Sequence, residues 1–119
     1  MIAGALSRRD EVLLAVIYGG FIEYESFRDI DVAVFTGYKI PYSRVQEYED
    51  QLSEELEELV KIPVDVRVLD YTPSWFRVRA LEGIVVVEKI PALATRLKFK
   101  SYQELSDIRA KIEYLKTRL

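Results

Sequence analysis

Three aspartates and a pair of glycines are the residues of this chain whose types and spacing could support chemistry. Gly19 and Gly20 follow an apolar run, and Asp29 and Asp31 flank Ile30 at the start of the next apolar run. If that run is a β-strand, residues two apart project to the same side, so the two carboxylates lie close enough to share a cation. Neighbouring carboxylates repel each other unless something neutralises them, and a divalent metal ion is the usual solution.

A third carboxylate lies on a later run of the chain. Asp65 stands between two valines in the sequence VDVRVL, where a charged residue needs a partner or a function. If the strands that carry Asp31 and Asp65 are neighbours, Asp65 can reach the same cation. Simpler interpretations stay open, because an Asp-x-Asp pair is often plain surface and Asp65 could pair with Arg67 or Arg28.

The two glycines predict an anion site beside these carboxylates. Without side chains, Gly19 and Gly20 leave the backbone N–H groups of their loop open to an approaching anion. If the residues from Phe21 onwards are helical, the dipole of that helix adds a favourable field for phosphate. A tight turn is the more common role of Gly-Gly after a strand, and that alternative also stays open.

Strands that alternate with helices must position these residues. We predict strands at 11–18, 30–35, 64–69 and 84–88, and helices at 43–61 and 73–82, with a short helical turn at 2–10. Ser101, with Glu104 three residues on, forms a capping box that predicts the start of a final helix. The fold class expected is α/β (α+β), with a small mixed sheet of about four strands flanked by helices.

Composition excludes several classes of site. The 119 residues, half of them hydrophobic, suit one domain with its own core. The chain has neither Cys nor His, which excludes disulfides, zinc fingers, thiol nucleophiles and imidazole bases. Any metal must therefore be held by oxygen, as Mg²⁺, Mn²⁺ and Ca²⁺ are. The net charge of −3 argues against nucleic acid as a partner.

The sequence also carries signals of location and origin. No apolar stretch approaches the roughly 20 residues of a membrane helix, and the N-terminus lacks the pattern of a secretory signal. We therefore expect a cytoplasmic protein with no membrane contact. The chain lacks Asn and is rich in Glu, Lys and Arg, a composition reported for thermophiles, so a thermophilic origin is a hypothesis.

Charge and apolar residues are unevenly placed in the second half of the chain. Residues 41–61 carry seven acids against two bases, and residues 89–119 carry eight bases against three acids. We interpret these segments as solvated helix faces of opposite sign, with an acidic partner or RNA as the alternative for the basic tail. The final helix also carries a heptad-like stripe, Leu105, Ile108, Ile112, Leu115 and Leu119. Such a stripe most often packs on the domain's own sheet, but it would also suit a homodimer or a docking partner.

The order of these motifs resembles a known signature. Gly19-Gly20, Asp29-Ile30-Asp31 and the later Asp65 resemble the DNA polymerase β-like nucleotidyltransferase superfamily, and within it the minimal nucleotidyltransferase (MNT) family. The segment IPVDVRVLDYTPSWFRVRALEGIVVVEK looks like that family's typical ending of strand, short helix and strand. The resemblance covers about 11–90, and 91–119 looks like the closing helix. It implies a single nucleotidyltransferase domain over 1–119 with a C-terminal helical extension.

The resemblance assigns catalytic roles to the three aspartates. It implies that Asp29 and Asp31 bind two Mg²⁺ ions on a nucleoside triphosphate, with Mn²⁺ as a possible substitute. Asp65 would bind one of these ions and help activate the attacking hydroxyl. The reaction implied is an in-line attack on the α-phosphate with pyrophosphate as the leaving group.

The resemblance also assigns residues to the nucleotide. Gly19 and Gly20 would cradle the β- and γ-phosphates. Ser26 and Arg28 are further nucleotide-binding candidates, because they could offset the acids of the loop that follows Gly20. That loop holds eight residues between Gly20 and Asp29, with Glu-Tyr-Glu where the family has an Arg and a further Gly.

The family's partners suggest two functions. Its members are often encoded beside a helical HEPN-domain protein, in toxin–antitoxin pairs where AMP is attached to a tyrosine of the partner. The resemblance therefore implies an antitoxin that transfers AMP from ATP to a protein hydroxyl. The altered loop after Gly20 favours the alternative, a catalytically impaired module that neutralises or docks on a helical partner. A module that binds RNA through the basic tail is least favoured, because no aromatic platform accompanies those charges.

Overall fold

Residues 1–19 and 29–118 are described by the computed structural model, and they build a four-stranded sheet with helices on both faces. The elements in chain order are α1 (Ile2–Ser7), β1 (Leu14–Tyr18), β2 (Ile30–Phe35), α2 (Val45–Val60), β3 (Val64–Val68), α3 (Ser74–Leu81), β4 (Ile84–Glu88) and α4 (Leu93–Arg118). This arrangement confirms the predicted fold class of a small mixed sheet flanked by helices.

The order of the strands brings distant parts of the chain together. The sheet runs β3-β2-β1-β4, with β1 antiparallel to both of its neighbours and β2 parallel to β3. The C-terminal end of β1 therefore meets the N-terminal ends of β2 and β3 at one end of the sheet. In this register Asp31 lies opposite Tyr18 on one side and opposite Asp65 on the other.

Alternation along the strands divides the core between two faces of the sheet. One face packs against α1 and α2 through Ile30, Val32 and Val34 of β2 and the three valines of β3. The other face packs against α3 and the start of α4, and it receives Tyr18, Ala33 and Phe35. Because side chains alternate, Asp31 and Asp65 belong to this second face.

The outer edge of β3 is closed by side chains of α2. The N–H groups of Val64, Val66 and Val68 donate to Glu57 Oε1 (3.0 Å), Ser53 Oγ (3.1 Å) and Glu49 Oε2 (2.8 Å). These three acceptors are spaced by four residues, so they lie along one side of the helix. The interpretation of the acidic segment as a merely solvated face is therefore wrong for Glu49 and Glu57, which protect an edge strand.

The final helix begins at Leu93, so the prediction that Ser101 caps it is wrong. Ser101 lies inside α4, is 1% exposed, and accepts a hydrogen bond from Arg77 Nε at 3.1 Å. The same guanidinium also donates to Glu104. Both residues of the supposed capping box therefore hold α3 against α4. The local pattern cannot reveal this role, because Arg77 lies 24 residues before Ser101.

The distal half of α4 does not pack on the sheet, so that prediction for its apolar stripe is also wrong. Ile108, Ile112 and Leu115 are 50%, 48% and 60% exposed, while Leu119 lies outside the described residues. A helix of 26 residues is about 39 Å long, roughly twice the length of these strands, so its end extends past the sheet. In the described part of the chain, no helix has the length and apolar character needed to cross a membrane.

Candidate active site

The sheet brings two of the three predicted carboxylates into direct register. Asp31 of β2 and Asp65 of β3 are paired across the parallel ladder, on the face turned towards α3. The side chain of Asp65 is 52% exposed, whereas Asp31 is partly buried. Asp29 stands one residue before β2 and is exposed. The strands of Asp31 and Asp65 are neighbours, which is the condition for the two carboxylates to share a cation.

The backbone of Gly19 packs against the Asp31 carboxylate. Gly19 has a φ of +81°, and a Cβ added to it would lie 2.6 Å from Asp31 Oδ2. The left-handed backbone favours a glycine here, and any side chain would have to displace the Asp31 carboxylate. The other three predicted nucleotide-binding residues, Gly20, Ser26 and Arg28, lie outside the described residues.

Like charge and burial perturb the groups at this end of the sheet. Burial raises the pKa of Asp31, and the negative charges of Asp29 and Asp65 raise it further. Burial also raises the pKa of Tyr18 to about 12, with added effects from Asp31 and Asp65. Burial is thus the main cause of both shifts, and the negative charges of the nearby carboxylates add to it.

The raised pKa of Asp31 makes its own contributions to stability and to cation binding depend on pH. The folded protein holds this proton more tightly than the unfolded chain, so the ionisation of Asp31 lowers the free energy of unfolding as pH rises through the acid range. A salt-bridged aspartate, whose pKa is lowered on folding, has the opposite effect: its ionisation raises the free energy of unfolding as pH rises. Because a cation competes with the proton for the same oxygens, cation affinity should rise over that range.

Two arginines that the sequence did not assign to the site oppose this negative charge. Arg67 Nε lies 3.4 Å from Asp65 Oδ2, which confirms the simpler interpretation that these two side chains pair. Arg67 and Arg79, the latter on α3, both act to lower the pKa of Asp31. The exposed Asp65–Arg67 pair adds little stability. Arg67 lies two residues after Asp65 on the same strand, so both side chains project from one face of the sheet. This spacing was the signal that could have identified Arg67 as a site residue.

The chemistry of the donors suits a hard divalent cation. The facing groups are carboxylate oxygens, the ligands that Mg²⁺ and Mn²⁺ prefer, and a cation would relieve their repulsion. Across residues 1–19 and 29–118, however, no group of three or more acidic, His or Cys side chains is arranged to hold a metal ion. The residue types therefore fit a metal, and the three-carboxylate metal site stays a prediction.

Comparison with known proteins identifies the family. A family model described as polymerase beta, nucleotidyltransferase matches residues 1–92. The chain belongs to this nucleotidyltransferase family. Proteins of the superfamily generally use divalent metal ions, in agreement with the carboxylate donors described above. No curated protein sequence is significantly similar to this chain.

Solved structures share the fold of this nucleotidyltransferase at low sequence identity. One is a toxin–antitoxin with AMP-PNP (14% identity, TM-score 0.70), matched over 91% of this chain and 86% of that chain. A second is a tri-AMPylated Shewanella oneidensis HEPN toxin in complex with MNT antitoxin (15% identity, TM-score 0.65), matched over 91% of this chain and 82% of that chain. A third structure, also from Shewanella oneidensis (12% identity, TM-score 0.70), is matched over 98% of this chain and 92% of that chain. At these identities the likeness shows a common fold.

The contact between Gly19 and Asp31 yields a first prediction. We expect Gly19→Ala to weaken Mn²⁺ binding at least tenfold, on the order of 1.4 kcal/mol, because its Cβ would displace the Asp31 carboxylate. The left-handed backbone adds a loss of about 1–2 kcal/mol in unfolding free energy. Calorimetric Mn²⁺ titration and urea unfolding measure the two effects.

Gly37→Ala is the matched control for this substitution. Gly37 also has a positive φ, +66°, but its added Cβ would meet Leu13 rather than a carboxylate. It should lose stability through the same backbone strain while it keeps its affinity for Mn²⁺. Equal Mn²⁺ affinity in the Gly19 and Gly37 variants would contradict the role of Gly19 at the carboxylates.

Proposed function

We propose that this nucleotidyltransferase moves a nucleoside monophosphate, AMP from ATP, to a hydroxyl of a HEPN-domain protein partner and acts as its antitoxin, with Mg²⁺ as cofactor. The observation that carries the proposal is the register pair of Asp31 and Asp65 with the Gly19 backbone against it. The proposal treats residues 1–119 as one nucleotidyltransferase domain, with 91–119 as its helical extension.

The carboxylates would bind the cation and handle the proton. Asp29, Asp31 and Asp65 are the residues that would hold Mg²⁺, which when bound neutralises charge on the triphosphate and lowers the pKa of a nearby hydroxyl. Asp65 is the more exposed member of the register pair, so an acceptor hydroxyl from a large partner can approach it. In the proposed step Asp65 accepts the proton of that hydroxyl. The hydroxyl oxygen then bonds to the α-phosphorus, and pyrophosphate departs.

Cationic side chains and backbone N–H groups would position the triphosphate. Gly19 and Gly20 are the proposed phosphate loop, with Ser26 and Arg28 as candidates on the segment that follows. Arg67 and Arg79 already act electrostatically on Asp31, so they are available to offset the charge of an incoming triphosphate. Such positioning and charge stabilisation account for most of the catalysis of phosphoryl transfer in general.

The partner enters the proposal through the related structures. One of them contains an AMPylated HEPN toxin with an MNT antitoxin, and another contains AMP-PNP. The shared fold and the family membership support the same class of reaction here. The acceptor proposed is a tyrosine hydroxyl of such a helical partner.

A second candidate function is an inactive module that neutralises its partner by docking alone. The exposed apolar residues of distal α4 favour a protein contact that needs no chemistry. The unusual acidic residues after Gly20 favour it as well. The two functions differ in whether the chain binds nucleotide through its aspartates.

Calorimetric titration of ATP, with and without Mg²⁺, separates the two functions. We expect Mg²⁺-dependent binding in the wild type and its loss in the Asp29→Ala, Asp31→Ala double variant, because the cation bridges carboxylates and phosphates. An Asp10→Ala, Asp50→Ala double variant, with two aspartates removed far from the site in sequence, is the control for lost charge. Where binding is seen, mass spectrometry of a co-expressed HEPN partner tests for the AMP adduct. A folded wild type that binds no nucleotide would overturn the enzyme and leave the docking module.

A further inference from the structure

The distal part of α4 presents an apolar surface that the described chain leaves uncovered. We call Leu105, Ile108, Ile112 and Leu115 the distal seam. Leu105 is partly buried and the other three are about half exposed. Their steps of three and four residues place them on one side of the helix, at the a and d positions of two heptads.

Basic side chains border the distal seam on both sides. With Leu105 at position a, the flanking e and g positions after it hold Arg109, Lys111, Lys116 and Arg118. All four are exposed. Lys116 lies 3.5 Å from Glu113, in an exposed pair of the kind that is worth little. Glu104, the acid that precedes the seam at a g position, is bound by Arg77.

The basic borders disfavour a second copy of this chain as the occupant. A second copy, laid on the seam in either orientation, would face these bases with bases of its own. Like charges at e and g positions oppose helix pairing, and complementary charges select the partner. Two heptads of apolar contact leave little free energy to offset that repulsion.

The apolar residues of the seam also disfavour RNA. Single-stranded nucleic acid binds through basic grooves in which bases stack on aromatic rings. The seam is aliphatic, and Tyr114, at a c position away from the seam, has the Arg118 guanidinium 5.2 Å from its ring centre. Basic side chains on both sides of an aliphatic stripe match a protein helix of opposite flanking charge.

We propose that the distal seam docks an amphipathic helix of a partner protein, with an apolar stripe bordered by acidic side chains. The proposal deepens the partnership of the proposed function and rests on it for the existence of a partner. The docking surface itself lies on α4, whereas nucleotide binding is assigned to β1, β2 and β3. Each can therefore fail without the other.

Two synthetic peptides test the surface on the full chain. Both have about three heptads with Leu at a and d; one carries Glu and the other Lys at e and g. Fluorescence anisotropy of the labelled peptides should show binding of the Glu peptide at micromolar concentration, weakening as salt rises. The Lys peptide should bind at least tenfold more weakly. Equal binding of both peptides, or of neither, would overturn the proposal.

Variants of the seam and of its borders test the two contributions separately. Ile108→Ser with Ile112→Ser should weaken binding of the Glu peptide at least tenfold. These side chains are already half exposed, so melting should change little. Ala110→Ser, at the exposed f position, is the matched control and should bind as the wild type does. Arg109→Glu with Lys111→Glu should shift the preference towards the Lys peptide.

The same variants distinguish a helical partner from other occupants of the seam. They also separate binding at the seam from nucleotide binding. Sedimentation of a wild-type dimer that the double Ile variant abolishes would assign the seam to a second copy instead. Tighter binding of a single-stranded RNA than of the Glu peptide, unaffected by the Ile variant, would assign the basic borders to RNA. Titration of ATP into the Ile variant should match the wild type, because failure of nucleotide binding concerns only the proposed function.

Discussion

The Asp31→Asn variant should lose the proposed AMP transfer by at least about a hundredfold, more than the loss commonly seen when only a supporting residue of a metal site is removed. The neutral amide keeps the shape of the side chain but removes the charge between Asp29 and Asp65. Transfer of labelled AMP to the partner, or Mg²⁺-dependent ATP binding in its absence, measures the effect.

Stability should respond to Asp31→Asn in the opposite direction. Burial and like charges disfavour the ionised carboxylate in the folded protein, so the amide should leave the unfolding free energy unchanged or higher at neutral pH. Asp107→Asn, an exposed acid of α4, is the control and should keep full activity. An Asp31→Asn protein that is folded and still transfers AMP would remove Asp31 from the site.

The Asp70→Ala variant should lose about 3 kcal/mol of unfolding free energy, which is a large share of the 5–15 kcal/mol typical of a domain. Asp70 is 4% exposed and accepts three hydrogen bonds: from Thr36 N (3.0 Å), Thr36 Oγ1 (2.8 Å) and Tyr38 N (2.6 Å). Alanine leaves these donors without an acceptor. It also releases Tyr38, whose φ of +66° is unfavourable for a residue with a Cβ.

Urea unfolding of three variants checks this prediction. Asp70→Asn keeps one acceptor oxygen and should lose less stability than Asp70→Ala, while Asp50→Ala on the exposed side of α2 should change little. Cation binding by folded Asp70→Ala should be normal, since Asp70 follows the far ends of the strands that carry Asp31 and Asp65. A loss below about 1 kcal/mol would show that water replaces the carboxylate.

Local sequence determined most of the secondary structure. The β-branched runs at 30–35 and 84–88 become β2 and β4 with the predicted bounds, because β-branched side chains favour the extended backbone of a strand. The three aspartates were also recognisable: Asp29 and Asp31 by their spacing of two at the start of a strand, and Asp65 because a charged residue between valines needs a reason to be there. Family membership, shown by the match over 1–92, agrees with the motif order read from the sequence.

Contacts between distant residues were decided by the tertiary structure. Asp31 and Asp65 become neighbours because β3 pairs in parallel with β2, and no local pattern specifies that pairing. Ser101 and Glu104 look like a helix start, yet Arg77 from another helix uses them as partners.

The surroundings of the acids of α2 and of the apolar stripe of α4 were likewise decided by the tertiary structure. Both segments are helical with the periodicity that the sequence predicts, but the direction that each face takes depends on what lies beside it. Glu49 and Glu57 meet the open edge of β3, whereas Ile108 and Ile112 extend past the end of the sheet. Periodicity determines which residues share a helix face, and only the packing of the whole chain determines what that face meets.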